Sequence, residues 1–383
     1  MLPGVEALGF VIELNLCQYS NRYCPPYTRE EPMRAEDNCT DCGTPELNRR
    51  HFLKTSAVAA AALSGVSALP NWAVAKDAAD AASTAAKSSP ESLVKVLFET
   101  FTPKQKEQLC FEWDHQDKKR GLLRTFVANN WQITEPSLND DYFTKDQRKI
   151  VRDIFQGIIH PDWHKRIDKQ LEDDAGGFGN DQSIALFGKP GDGKFEFVMT
   201  GRHMTLRCDG NSADNVAFGG PIFYGHAVNN NEDAKHPGNV FWPQAQAANK
   251  IYTLLDSKQQ AEALIANMPR EQAVSFQGTK AKIPGLAVSE LSKDTQGQVQ
   301  KLLGMLLEMY RKSDQDEAMQ CITKQGGLEK CSLAFYKQGD IGNDKVWDNW
   351  RLEGPSFVWH FRGSPHVHVW VNVADSADVK LNA

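Results

Sequence analysis

The segment Ser356-Phe357-Val358-Trp359-His360-Phe361-Arg362-Gly363-Ser364-Pro365-His366-Val367-His368-Val369-Trp370-Val371-Asn372-Val373 decides the fold class. Both halves alternate, and a Gly-Ser-Pro turn signal divides them, which predicts an antiparallel hairpin. With Gly363, Ser364 and Pro365 as the loop, Arg362 faces His366, His360 faces His368 and Val358 faces Trp370. Side chains alternate faces with period two. His360, Arg362, His366 and His368 therefore share one face. Phe357, Trp359, Phe361, Val367, Val369 and Val371 share the other.

Opposed residues in a sheet have Cβ atoms about 5 Å apart, close enough for imidazoles to reach one ion. A His-x-His strand plus a third His is one way to build a zinc, copper, iron or manganese site. The competing reading is a polar sheet face lined by His, since a register slip would separate His360 from the pair. Asn372 continues the same face. Glu353, before Gly354-Pro355, is a candidate acceptor for a ligand His or a general base. With Arg362 it completes the candidate catalytic residues.

The same alternation recurs upstream. Ser332 to Gln338 and Lys345 to Leu352 read as strands, as do Ile184 to Phe187 and Phe195 to Val198 around Lys189-Pro190-Gly191-Asp192-Gly193-Lys194. That turn fits most of a phosphate-binding loop. It lacks the Ser or Thr after Lys194, and strand alternation follows where a helix is required, so a tight hairpin turn is the better reading. Arg202 to Cys208 reads as a further strand with His203, Thr205 and Arg207 on one face, which makes His203 a fourth ligand candidate or a core histidine. His226 follows a Gly-rich loop, Gly219 to Gly225. His160 and His164 flank Pro161, a helix-start signal, and read as a solvent-side pair at a helix junction.

Helical periodicity covers Ser92 to Trp113, with a fresh start at Thr102-Pro103, then Phe143 to Ile159, Gln244 to Met268 and Thr295 to Arg311. Strands and helices in separate runs predict an α+β domain, an antiparallel sheet with helices packed on one side. Most of the Trp residues are expected in its core. No Gly-x-Ser-x-Gly elbow or other nucleophilic triad is visible.

Asn48-Arg49-Arg50-His51-Phe52-Leu53-Lys54 precedes an Ala-rich apolar stretch and then Ala73-Val74-Ala75. Paired Arg, a weakly apolar segment and a small-x-small cleavage site resemble a twin-arginine signal, with cleavage expected between Ala75 and Lys76. Asn48 stands where Ser or Thr is more usual. Residues 1–75 are thus read as a leader. Met33 offers a more usual start, which would make 1–32 an over-long reading. Residues 76–91 read as a flexible linker and 92–383 as a single α+β domain. Export implies the twin-arginine translocase as a partner and a periplasmic or secreted location.

Composition agrees with an exported globular domain. Of 383 residues, 43 are Lys or Arg and 49 Asp or Glu, a charge of −6 that argues against a nucleic-acid binder. Removing the leader leaves −4. No apolar run is long enough for a spanning helix or stable membrane anchor. The leader carries Cys17, Cys24, Cys39 and Cys42. Cleavage leaves Cys110, Cys208, Cys321 and Cys331, of which Cys321 and Cys331 are spaced to close a short loop in an oxidising compartment.

The order of segments resembles a family catalogued as domain of unknown function 3500. The resemblance spans most of residues 92–373. It is carried by Leu97 to Trp113, Asn130-Trp131, Thr144 to Gly157, Ile184 to Lys189, and Thr200-Gly201-Arg202-His203-Met204-Thr205-Leu206. Gly220 to Gly225, Gln259-Gln260-Ala261 and Glu353-Gly354-Pro355 through His366-x-His368 complete it. Two positions depart from the family pattern. Arg202 stands where a second His is favoured, and His360 where an acidic residue is common, so each changes the implied ligand set. The resemblance implies no established activity; the His face and the export signal leave two functions, an exported His-ligated metalloprotein, a hydrolase or oxidoreductase, or a non-enzymatic binding or envelope-associated protein.

Overall fold

A computed structural model describes residues 89–228 and 238–381. The leader, its four cysteines and the expected linker up to residue 88 lie outside the described residues. The first helix, Pro90–Thr100, begins inside the expected linker, capped by Ser89 with Pro at its first turn. Thr102 caps the next, Pro103–Leu109, through a reciprocal bond with Gln105. Thr144 and Gln147 do the same for Lys145–Ile158, whose Val151, Ile154, Phe155 and Ile158 form the buried stripe.

Short strands β1 (Cys110–Phe111), β2 (Gln116–Asp117) and β3 (Gly121–Leu122) precede β4 (Ser183–Gly188), β5 (Phe195–Gly201), β6 (Met204–Cys208) and β7 (Ile222–His226). Two-residue strands β8 (Leu264–Ile265) and β9 (Leu286–Ala287) follow. Then come β10 (Ser332–Tyr336), β11 (Asn349–Gly354), β12 (Phe357–Arg362) and β13 (Val367–Val373). The main sheet runs β1-β4-β5-β6-β7-β13-β12-β11-β10-β8, with β9 also on β10. The fold is α+β as expected, but the sheet is mixed: β1 lies parallel to β4 and β8 parallel to β10. These parallel pairs are two residues long, too short to leave an alternating pattern.

One face of the sheet packs on helices. Leu186, Met199, Leu206, Tyr224, Val369, Trp359 and Phe335 share a core with Leu97, Ile154, Leu171, Ala248, Leu302 and Ile322. Irregular segments cover the opposite face, bringing Val127 and Val274 onto Phe223, Val358 and Trp370. Burial of these apolar side chains is the main stabilising term.

The β12–β13 hairpin keeps the expected faces and departs from the expected register. Arg362 pairs with His368 and His360 with Trp370, a shift of two residues. An even shift preserves which side chains share a face. The connection lengthens because Gly363 is tied to the next strand: its N–H donates to the Asp348 carbonyl and to Asn349 Oδ1, both at 3.0 Å. A Cβ there would lie 2.7 Å from the Asp348 oxygen.

Other differences are local. Lys189 to Lys194 form the expected turn between β4 and β5, not a helix start. The periodic stretch from Gln244 divides into Trp242–Thr253 and Ser257–Ala263, because Asp256 caps the second. The segment Gly219 to Gly225, read as a loop, supplies buried strand β7. Cys321 and Cys331 are free and buried, with Cys331 Sγ taking an N–H from Gln325 at 3.5 Å. No helix among the described residues is long and apolar enough to cross a membrane.

Candidate metal centre

His203 occupies the two-residue turn between β5 and β6, not the strand itself. Gly201 pairs with Met204, and Arg202-His203 form the link. His203 takes a left-handed backbone, φ 54°, which costs a non-glycine residue on the order of 1 kcal/mol. Its N–H donates to the Asn129 carbonyl at 2.8 Å, fixing the turn. Gly225 on β7 gives the ring room. A Cβ there would lie 2.4 Å from the Val367 carbonyl and 3.2 Å from His203 Cδ2.

His368 lies on the loop-covered face of β13, and His366 in the connection just before it. The three side chains meet tip to tip. Nε2 of His203 lies 3.2 Å from Nε2 of His366 and 3.1 Å from that of His368, and the latter two are 3.0 Å apart. All three residues are at most 2% exposed. At a Zn–N bond length, nitrogens this far apart subtend about 100°, between octahedral and tetrahedral angles. Among the described residues this is the trio whose ligand atoms converge.

Two of the three histidines are held from behind by carboxylates. His203 Nδ1 lies 2.8 Å from Asp174 Oδ2, and His368 Nδ1 lies 3.1 Å from Glu271 Oε2. An ionised carboxylate only accepts, so each Nδ1 carries the proton and each Nε2 presents a lone pair. Lone pairs facing one another at about 3 Å repel unless a cation lies between them. One proton on His366 Nε2 can serve only one of its two neighbours. A metal ion serves all three.

The surroundings keep His366 and His368 neutral, the form a metal requires. Burial, then the neighbouring His368 and His203, hold His366 well below the usual histidine range. Burial and the Arg362 charge do the same for His368. Asp174 also accepts from Gln170 Nε2 at 2.7 Å and from the Ala227 N–H at 3.0 Å. Burial works to raise its carboxyl, but His203, Gln170 and His226 together outweigh it and leave it below the ordinary value. Each carboxylate has a guanidinium behind it. Arg202 Nε lies 4.0 Å from Asp174, and Arg362 Nη1 lies 3.2 Å from Glu271.

His360 does not join the trio. The two-residue register shift puts it opposite Trp370, where its Nδ1 accepts from Arg351 Nε at 3.1 Å. Glu353 stands further away, four residues and two strands from His368, about 13 Å along and 10 Å across the sheet. Its partner is Arg351 Nη1 at 3.4 Å. Arg362 is brought to the centre, directly opposite His368. His226 is engaged at both ring nitrogens, by Asp173 Oδ2 at 2.8 Å and by the Val240 N–H at 3.1 Å. His164 bonds the Gln156 carbonyl at 3.0 Å, and His160 caps its own turn, so neither faces a metal.

A family model described as "Protein of unknown function (DUF3500)" matches residues 84–375. The chain belongs to this family. The DUF3500 match includes all three converging histidines and both supporting carboxylates. A second model, the TAT (twin-arginine translocation) pathway signal sequence, matches residues 46–64 and indicates export out of the cytoplasm. No curated protein and no solved structure matches this DUF3500 chain.

Proposed function

We propose that this exported protein is a metalloprotein whose ion is held by His203, His366 and His368, with Asp174 and Glu271 orienting two of them. The observation that carries this reading is the triangle of Nε2 atoms, 3.0–3.2 Å on a side. Neutral imidazoles suit zinc and copper, and less well manganese, which prefers oxygen. Three His ligands with a further position left for water or substrate is a catalytic zinc arrangement, so zinc-dependent hydrolysis is the proposed chemistry. Copper or iron in the same ligands would serve an oxidoreductase. Arg362, opposite His368, is the candidate to stabilise negative charge on a reacting group. Cleavage between Ala75 and Lys76 would release the protein to the periplasm or beyond. The twin-arginine translocase carries folded cargo, which allows metal loading before export.

Near-complete burial of the three histidines favours a second reading, a metal that holds the fold without turnover. Elemental analysis of the exported protein tests the shared premise: about one equivalent of a transition metal is expected. Less than about a tenth, even after reconstitution, overturns it. Chelation then separates the readings. A catalytic ion leaves a folded metal-free protein, whereas a structural ion takes the fold with it.

A further inference from the structure

Beside the metal ligands, the loop-covered face of β12 and β13 carries a block of buried donors that the protein leaves unused. Register places Arg362 opposite His368 and His360 opposite Trp370, four adjacent side chains on one face. Arg362 spends Nη1 on Glu271, while its Nε and Nη2 have no partner. His360 accepts at Nδ1 from Arg351, so its proton sits on Nε2, which has no partner either. Trp370 Nε1 is likewise unpaired. His360 and Trp370 are at most 1% exposed. A buried donor without a partner is costly, and one sheet face here holds four.

The donors share a chemistry. Nε–H and Nη2–H form one edge of the guanidinium, two parallel bonds suited to the two oxygens of a carboxylate. The indole and imidazole N–H groups add further bonds to oxygen. Charge points the same way. Glu271 offsets Arg362 and Glu353 offsets Arg351, so a divalent ion at the three histidines leaves uncompensated positive charge that an anion would balance.

We propose that this block is a subsite for a carboxylate of the ligand, held by Arg362, His360 and Trp370 while the adjacent group reaches the ion. The inference rests on the metal reading for the second half of that contact. The test is calorimetric titration of the mature protein with acetate and, separately, inorganic phosphate, in metal-loaded and chelated samples whose metal content is measured. Acetate is expected to bind the loaded protein. Arg362→Lys keeps the charge and loses the fork, and should weaken acetate about 10-fold with metal content unchanged. Trp370→Phe removes the indole N–H that no protein atom uses along with part of a buried ring, and should weaken acetate about threefold, with circular dichroism to show that the fold is intact. Unaltered acetate affinity in both variants, no acetate binding at all, or binding of phosphate alone would each overturn the proposal. A sample that binds no metal defeats the metal reading instead. Arg362-dependent acetate binding by that metal-free protein would still uphold the subsite.

Discussion

Asp174→Asn is the sharpest perturbation of the centre, because it changes one proton and almost no volume. Asp174 is buried and spends both oxygens, on His203 Nδ1 at 2.8 Å, on Gln170 Nε2 at 2.7 Å and on the Ala227 N–H at 3.0 Å. An asparagine can keep the Ala227 bond through its carbonyl oxygen. Its NH2 then meets His203 Nδ1, which must become the acceptor, and Gln170, whose amide must turn its oxygen toward it. The imidazole proton moves to Nε2, the atom that faces His366 and His368. A metal must now displace that proton, and the ring has lost the anionic partner that raised its basicity. Loss of such a support typically weakens metal affinity 10- to 100-fold, about 1.4–2.8 kcal/mol. Competition against a chromophoric chelator at pH 7 would measure this, with circular dichroism to show that the fold is intact. Glu271→Gln should behave alike through His368. Unchanged affinity in both folded variants would refute the assigned tautomers, and with them the orienting role of Asp174 and Glu271.

Further outcomes follow from the same geometry. Alanine at His203, His366 or His368 should each abolish most metal binding, whereas His360→Ala should retain it, as elemental analysis would show. Val367→Ala, on the helix-facing side of the same strand, should cost about 2 kcal/mol in urea unfolding and leave metal content near normal. Glu196 is fully buried between Arg124 at 2.6 Å and Arg207 at 3.0 Å, so Glu196→Ala should cost about 3–5 kcal/mol by stranding both guanidiniums. Burial and the nearby Asp209 push Glu317 up to about 7, so its contribution is fully present below about pH 4.5 and is lost as pH rises through 7. Glu317→Gln should then be nearly neutral at pH 5 and stabilising by about 1–2 kcal/mol at pH 8, read from paired urea titrations. Replacing Arg49 and Arg50 by Lys should hold the precursor in the cytoplasm, visible by fractionation, while the exported protein should begin at Lys76 by mass spectrometry.

The fold was legible wherever one period dominated. Phe357 to Val373 alternates so strictly that the buried face followed from the sequence alone, and an even register error could not spoil it. Its loop length depended on the tie between Gly363, just after β12, and Asp348, just before β11, a contact that no local pattern encodes. The helix His164–Ala175, beyond its start signal at Pro161, and the helix Lys312–Lys324 showed no clear periodicity because each buries a narrow stripe, Ile167 and Leu171 in one, Ala318 and Ile322 in the other, among charged residues. Strand β7 was hidden by Gly219-Gly220-Pro221 before it and by its own Gly225, which lets His203 and the Val367 carbonyl come close.

For the site, a His-x-His on a strand was a readable signal, and His203 was in view, but for the wrong local reason. A strand would have placed it in a row. The turn holds it in a left-handed conformation with its tip toward the pair. The carboxylates differ in how far they could have been found. Asp174 lies in the last turn of a helix that ends Glu172-Asp173-Asp174-Ala175, and the helix dipole disfavours acidic residues there. Three of them without a base is a local conflict, and such conflicts concentrate where a residue serves something other than stability. Asp173 and Asp174 resolve it by binding His226 and His203. Glu271 sits in an irregular segment with no period and no cap to violate, and only the covering of the sheet brings it to His368. Of the two supports, one left a trace in the sequence because it breaks a rule of its own helix. The other obeys every local rule and becomes visible only in three dimensions.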